Sequence, residues 1–407
     1  MNKTATTYVI VALALAVGLA GFLIALSWRQ SRGDVAPASI SSGVAVQREG
    51  LAELEAGLRA TMESTPSQVM TRSGLAGAMG GARVRLSSGK PQEIMMPVPQ
   101  LADGQIPICF FISSTPADAV TEYRLRTREE GNVVIGICLA GGDEEVRIAW
   151  SSVVLLAPCA VIPNATSADA YRAANPCVQA DADEIKELAA LTWASSSGAT
   201  EFADGIQRHI REMARREQPR SLDAVAILRS GENGICTGNA NLAAALMRAK
   251  GIACRSIATI PTISQEVEMH RIVEFSEGGR WLAFDPSSVQ RDVPAKAWQN
   301  IIMAKTTIGD ERLAMKSRPA AMAGCPYGQE LELLTSGVAL CGQDFFWTMA
   351  KPLAAFEPTH EAIRLAVADW NRYLTTGALT QAQLNASSAA TTTEFAERLR
   401  DEDGAID

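Results

Sequence analysis

Between Gly231 and Ser288 the chain changes pattern in an order that few folds accommodate. A glycine-bearing turn, GENGI, delivers Cys236 to an alanine- and leucine-rich helix, CTGNANLAAALMRAK, with Gly251 placed as a left-handed cap at its end. Strands are predicted at about 253–260, 268–276 and 280–285, and Gly278-Gly279 reads as a hairpin turn. His270 falls near the start of one of these strands and Asp285 at the end of the next. The cysteine therefore sits at a helix start, with the other two residues on neighbouring strands.

Acyl transfer at neutral pH needs a thiolate, a base beside it and a third group holding that base. At a helix start, backbone N–H groups and the positive dipole end lower a thiol pKa from about 8.5. The same groups, including the N–H of Cys236, can stabilise the oxyanion formed when sulfur attacks an acyl carbon. His270 can take the thiol proton and return it to a leaving amine, and Asp285 can fix the imidazole tautomer. Only three histidines exist in the chain, so few residues can act as the base. Taken singly, each residue has a plainer role: a small buried hydrophobe, a structural histidine, an Asp-Pro turn. The ordered combination favours a site. Strand alternation puts Glu274 on the His270 side, where it is expected to be a solvent-facing carboxylate.

Composition narrows the remaining classes. With 407 residues, 47% hydrophobic and 20% charged, the chain is globular and holds about two or three domains. Its net charge of −8 argues against a nucleic-acid partner. The run Arg208, Arg211, Arg215, Arg216 and Arg220 is interrupted by Glu212 and Glu217 and reads as a solvated helix face.

Tyr8 to Leu26 is an uncharged apolar run of bilayer-spanning length, longer than the usual core of a signal peptide. A single uncleaved transmembrane helix over residues 8–28 is expected; a signal cleaved near Ala36-Pro37-Ala38 is the alternative. Arg29 and Arg32 oppose Lys3, so flanking charge does not set the orientation. None of the eight cysteines forms a Cys-x-x-Cys pair, which disfavours zinc ribbons and thioredoxin-like sites. Cys159/Cys177 and Cys325/Cys341 each bracket a short loop, and Cys109 and Cys138 lie in strand-like runs. Those three pairs as disulfides would leave Cys236 and Cys254 free and suit a location outside the cytoplasm.

The predicted organisation is a signal anchor over 1–33, a linker and helix over 34–79, and a β-rich, sandwich-like domain over 80–160. A cysteine-bearing core follows over 161–300, then a helical or irregular extension over 301–407. Asp181 or Asp183 is expected to cap a helix beginning near 183, and residues 359–374 and 380–400 look helical.

The run CTGNANLAAALMRAKGIACRSI resembles the signature of the transglutaminase-like superfamily: a cysteine opening a helix, Arg-Ala-x-Gly-Ile, then an arginine before a hydrophobic residue. The downstream HRIVE and GRWLAFDPS resemble the family's histidine strand and its tryptophan-to-aspartate strand, and the helices upstream are also similar. The resemblance covers about residues 176–290. It departs at Ile272, where many members have an aromatic residue, and at Ala253-Cys254, where Pro-Ala is frequent. What it implies is an α+β, papain-like transglutaminase core in which the cysteine helix packs on an antiparallel sheet. Cys236 would be nucleophile, His270 base and acid, and Asp285 the orienting group, with no cofactor or metal. The implied partner is a peptide or protein amide, attacked through an acyl-thioester, with hydrolysis and acyl transfer both open. A non-catalytic surface scaffold with a residual triad is the rival reading.

Overall fold

In the computed structural model the described residues run, with gaps, from Ser73 to Leu379; the longest gaps are 263–269, 288–299, 307–331 and 369–377. The anchor expected over 8–28, residues 34–72 of the predicted linker and helix, and the helix expected over 380–400 lie outside the described residues. Among the described residues, no helix is long and apolar enough to cross a membrane.

Six strands come first: β1 (Gly74–Leu86), β2 (Gln92–Pro97), β3 (Gln105–Thr115), β4 (Val120–Thr127), β5 (Val133–Leu139) and β6 (Glu145–Leu156). Alternate residues point to one shared core: Ala76, Ala78, Ala82 and Val84 from β1, Val133, Ile135, Ile137 and Leu139 from β5, and Val146, Ile148 and Trp150 from β6. Gly80 pairs directly with Trp150 across β1 and β6, and its missing side chain makes room for the indole.

Helices occupy the next stretch: α1 (Asp183–Trp193), α2 (Ala199–Glu212), α3 (Ala224–Ser230) and α4 (Cys236–Ala249). Two-residue strands β7 (Ala214–Arg215) and β8 (Glu232–Asn233) pair in parallel between them. The side-chain cap expected for α1 from Asp181 or Asp183 is not formed. Ala182 is the N-cap residue, and Asp183 and Glu184 instead place charge in the first turn, where the helix dipole favours it.

Three antiparallel strands follow α4: β9 (Cys254–Pro261), β10 (His270–Glu277) and β11 (Arg280–Phe284), with β12 (Asn300–Lys305) on the far side of β9. The predicted turn residues behave as expected. Gly278 and Gly279 adopt φ of 59° and 78° in the β10–β11 hairpin, and Gly251 ends α4 at φ 73°. Cys254, Val273, Phe275 and Phe284 pack beneath α4, which is buried from Thr237 to Arg248. Ile257, Ile272 and Ile302 point to the other face and meet Ala102, while Ile260, Ile301 and Met303 join the core of the first six strands. The sheet is thus covered on both faces, by helices and by the β layer.

Side-chain amides extend the outer edge of β12 as a fifth strand would. Gln105 accepts from Ile302 N–H at 2.7 Å and donates to Ile302 O at 2.9 Å. Asn132 and Lys305 exchange the same pair of bonds, both 2.7 Å. A primary amide carries the donor and acceptor of a peptide group, so it can satisfy an edge strand's backbone.

The C-terminal stretch differs from the helical or irregular extension predicted. Strands β13 (Glu332–Leu333), β14 (Val338–Leu340), β15 (Phe346–Ala355) and β16 (Ala378–Leu379) pair antiparallel with β2, β1, β1 and β4, respectively. Both sheets of the first domain are therefore completed by residues more than two hundred positions away, which no local pattern reports. Helical turns do occur at His360, 363–364 and 366–368.

Candidate active site

The position of Cys236 is fixed from several directions. Asp223 caps α3, its Oδ1 accepting from Ala226 N–H at 2.8 Å, and Gly231 ends that helix at φ 63°. Pairing of β7 with β8 then leads the chain to Ile235, whose extended backbone precedes the first turn of α4. A Cβ at Gly238 would run into Ile227 Cδ1, so glycine lets α3 lie close against the opening turn of α4. No side chain caps α4; Gly238 and Asn239 N–H groups donate to Ile235 O at 3.0 and 3.2 Å. Cys236 is half-buried at this helix start.

His270 opens β10 and donates from Nε2 to Asp285 Oδ2 at 2.9 Å, because an ionised carboxylate can only accept. The side chains are 20% and 16% exposed, so water competes little for the bond. The Cys236 side chain lies within hydrogen-bonding and charge range of the same imidazole. With Nε2 engaged by the carboxylate, Nδ1 is the ring nitrogen left for sulfur. Burial works against a charged imidazole, but the Asp285 charge and hydrogen bond outweigh it, Cys236 adds to them, and His270 is pushed up to about 10. The ring is therefore an imidazolium at neutral pH, a counter-charge for thiolate sulfur.

Asp285 is itself held at three atoms. Oδ2 meets His270, Oδ1 accepts from Ser287 N–H at 2.8 Å, and the backbone carbonyl accepts from Gln207 Nε2 at 2.7 Å. Gln207 reaches it from α2 and is buried. Ser287 Oγ accepts from Asn239 Nδ2 at 3.0 Å, and Asn239 is one turn along α4 from Cys236.

All three residues singled out in the sequence thus come together, whereas Glu274 does not join them. Its predicted solvent-facing role is also incorrect: Glu274 is 2% exposed and accepts from Arg255 Nε at 2.5 Å, with both side chains buried. The guanidinium lies 4.2 Å from the Trp281 ring centroid and 5.3 Å from that of Tyr171. Alternation placed Glu274 on the correct face. What it cannot report is that a second domain covers that face. Gln207, Asn239 and Ser287 escaped the sequence reading because common polar residues carry no signature until folding sets them beside the aspartate.

Cys254 is fully buried beneath α4, as expected for the strand behind the cysteine helix. Among the described residues no disulfide is formed. The Cys109 side chain and Cys159, Cys325 and Cys341, one or both members of each predicted pair, lie outside the described part.

Residues 186–286 match the family model of the transglutaminase-like superfamily, a segment running from α1 through the Asp285 turn. No curated protein sequence matches the chain. Among solved structures, one from Cytophaga hutchinsonii, provisionally described as a cysteine protease, is similar over 71% of this chain and 93% of its own, at 12% identity and a TM-score of 0.48. The periplasmic domain of TgpA from Pseudomonas aeruginosa, bound to ethylmercury, is similar over 57% of this chain and 93% of its own, at 14% identity and a TM-score of 0.30.

Proposed function

We propose that this chain, whose residues 186–286 form a transglutaminase-like segment, is a cysteine enzyme acting on peptide or protein amides through an acyl-thioester. The observation carrying this reading is a single imidazole bound to a carboxylate at 2.9 Å on one side and within range of a helix-start cysteine on the other.

In this mechanism Cys236 sulfur, as thiolate, attacks the amide carbon and the carbonyl π electrons move to oxygen. The opening N–H groups of α4 receive that oxyanion. Collapse re-forms the carbonyl and breaks the C–N bond, while His270 gives its proton to the departing amine. Neutral His270 then takes a proton from the acceptor, which attacks the thioester and releases the thiolate. Water as acceptor gives hydrolysis, and an amine gives transfer; Asp285 holds the imidazole in one tautomer throughout. An anchor over residues 8–28 would place the site at a membrane, with the bulk outside the cytoplasm.

The test is a thiol-directed activity probe on the full chain, with labelling sites mapped by mass spectrometry. Labelling concentrated at Cys236, and reduced in His270→Ala, is expected. Reaction at Cys236 no faster than at an ordinary exposed thiol, with no dependence on His270, would refute the enzyme reading. Peptide substrates with and without a primary amine acceptor then separate hydrolysis from transfer.

A further inference from the structure

We propose that Asn239 and Ser287 are positioning residues, whose mutual hydrogen bond locks the Asp285 turn onto the helix that carries Cys236. The proposal rests on the catalytic reading of Cys236, His270 and Asp285, and adds to it what fixes their separation.

Followed atom by atom, the contacts close a ring. Cys236 meets His270. His270 Nε2 donates to Asp285 Oδ2 at 2.9 Å. Ser287 N–H donates to Asp285 Oδ1 at 2.8 Å, and Asn239 Nδ2 donates to Ser287 Oγ at 3.0 Å. From Asn239 the path returns to Cys236 through three residues of α4, about one helical turn. Nucleophile, base and orienting carboxylate thus share one rigid frame, whose last link is neither nucleophile, base nor orienter.

That link matters because of where β11 stops. The strand ends at Phe284, so Asp285 lies beyond the ladder that holds Trp281 to Phe284 against β10. Two side chains tie it down: Gln207 from α2 grips the Asp285 carbonyl, and Asn239 from α4 grips Ser287 two residues on. Only the second joins the turn to the helix that carries the sulfur. Asparagine is a poor residue for a helix interior, and at 2% exposure Asn239 must also satisfy a buried amide. It stands just before Ala240, Ala243, Ala244 and Ala245, which pack in the apolar core. A misplacement of 1 Å between reacting groups costs roughly a hundredfold in rate, so a tie at this position has catalytic leverage.

Alkylation of Cys236 by iodoacetamide, followed site by site across pH 5–11 in the full chain, tests this without a known substrate. In Asn239→Ala and in Ser287→Ala, the Cys236 rate at pH 7 should fall on the order of tenfold, with the profile displaced along the pH axis. The double variant should be no worse than either single one, because both remove the same bond. Ser287→Thr, which keeps the hydroxyl, should restore the wild-type profile. Asn241→Ala is the control for mere helix stability: Asn241 is equally buried but donates to Leu222 O, outside the ring. It should lower Tm and leave the profile in place. If Asn239→Ala fails to fold, Ser287→Ala in the half-buried turn decides alone. An unchanged profile in the folded single variants, or additive losses in the double, would overturn the proposal while leaving the enzyme reading intact. Wild-type Cys236 behaving as an ordinary thiol would instead bring down the enzyme reading, and this proposal with it.

Discussion

Asp285→Asn is nearly isosteric, yet the geometry predicts that it disables the site. Two donors point at this carboxylate, Ser287 N–H at Oδ1 and His270 Nε2–H at Oδ2. A carboxylate accepts both, whereas an amide has one oxygen and one NH2. If the amide oxygen stays on Ser287, its NH2 faces Nε2; the imidazole proton then sits on Nδ1, facing sulfur, and the ring cannot accept the thiol proton. If the amide flips, its NH2 confronts the Ser287 N–H. The charge effect has the same sign. His270 is raised from 6.5 to about 10 mainly by Asp285, acting against burial. That interval corresponds to roughly 5 kcal/mol of preference for the imidazolium. Without the charge, burial is opposed by Cys236 alone, so the value falls well below about 10 and the range over which His270 stays an imidazolium shrinks toward lower pH.

His270 ring signals, followed by NMR against His209 and His360, give the titration directly, and Cys236 alkylation gives the rate. Activity should fall by about 10²- to 10⁴-fold. Stability provides a further check. A folded-state value above the unfolded one stabilises fully below about pH 6.5 and fades as pH rises toward about 10. The wild type should therefore lose stability across pH 6.5–10, and the variant should show a flatter profile. A variant whose His270 still titrates near 10 would show that another group holds the imidazole, and the tautomer argument would fail.

Glu274→Gln should destabilise by about 3–5 kcal/mol in urea unfolding, because Arg255, fully buried, keeps its charge and loses its counter-ion. Replacing both partners by apolar residues of similar volume should recover most of that loss. Gln105→Ala leaves the Ile302 N–H without its acceptor at the edge of β12 and should cost about 1–3 kcal/mol by the same measurement. In Gly80→Ala the new Cβ would lie 2.6–2.9 Å from three atoms of the buried Trp150 ring, and a loss of about 1–3 kcal/mol with altered near-UV circular dichroism is expected.

What the sequence could report depended on how local the cause was. Gly251, Gly278 and Gly279 were legible because a left-handed backbone is a property of one residue. The β9 to β11 strands were legible because their turns and alternation are local. Cys236, His270 and Asp285 span fifty residues but are carried by those elements, so the order of the elements conveyed their convergence. The strands between 332 and 379 were not legible, because their partners are β1, β2 and β4 at the other end of the chain. Glu274 fails for the same reason: its face was readable, and the layer covering that face was not.

That layer also bears on the site. The β10 strand that carries His270 has one face under α4 and the other against the β domain, where Ile272 packs and Glu274 binds Arg255. Asp103, from the loop before β3, accepts from the backbone N–H of Trp281 on β11 at 2.8 Å, and β11 leads directly into Asp285. Gln105 and Asn132 hold the opposite edge of the same sheet. His270 therefore stands on a strand, and Asp285 directly after one, in a sheet braced from the β domain, while Cys236 stands on a helix enclosed by α1, α2 and α3. Because the two halves of the site rest on different supports, their separation depends on the links that cross between them. Gln207 and the Asn239–Ser287 pair are such links, and both act on the same short turn that presents the carboxylate. A frame of this kind keeps a half-buried thiol and a half-buried imidazole in register without sealing the sulfur from solvent.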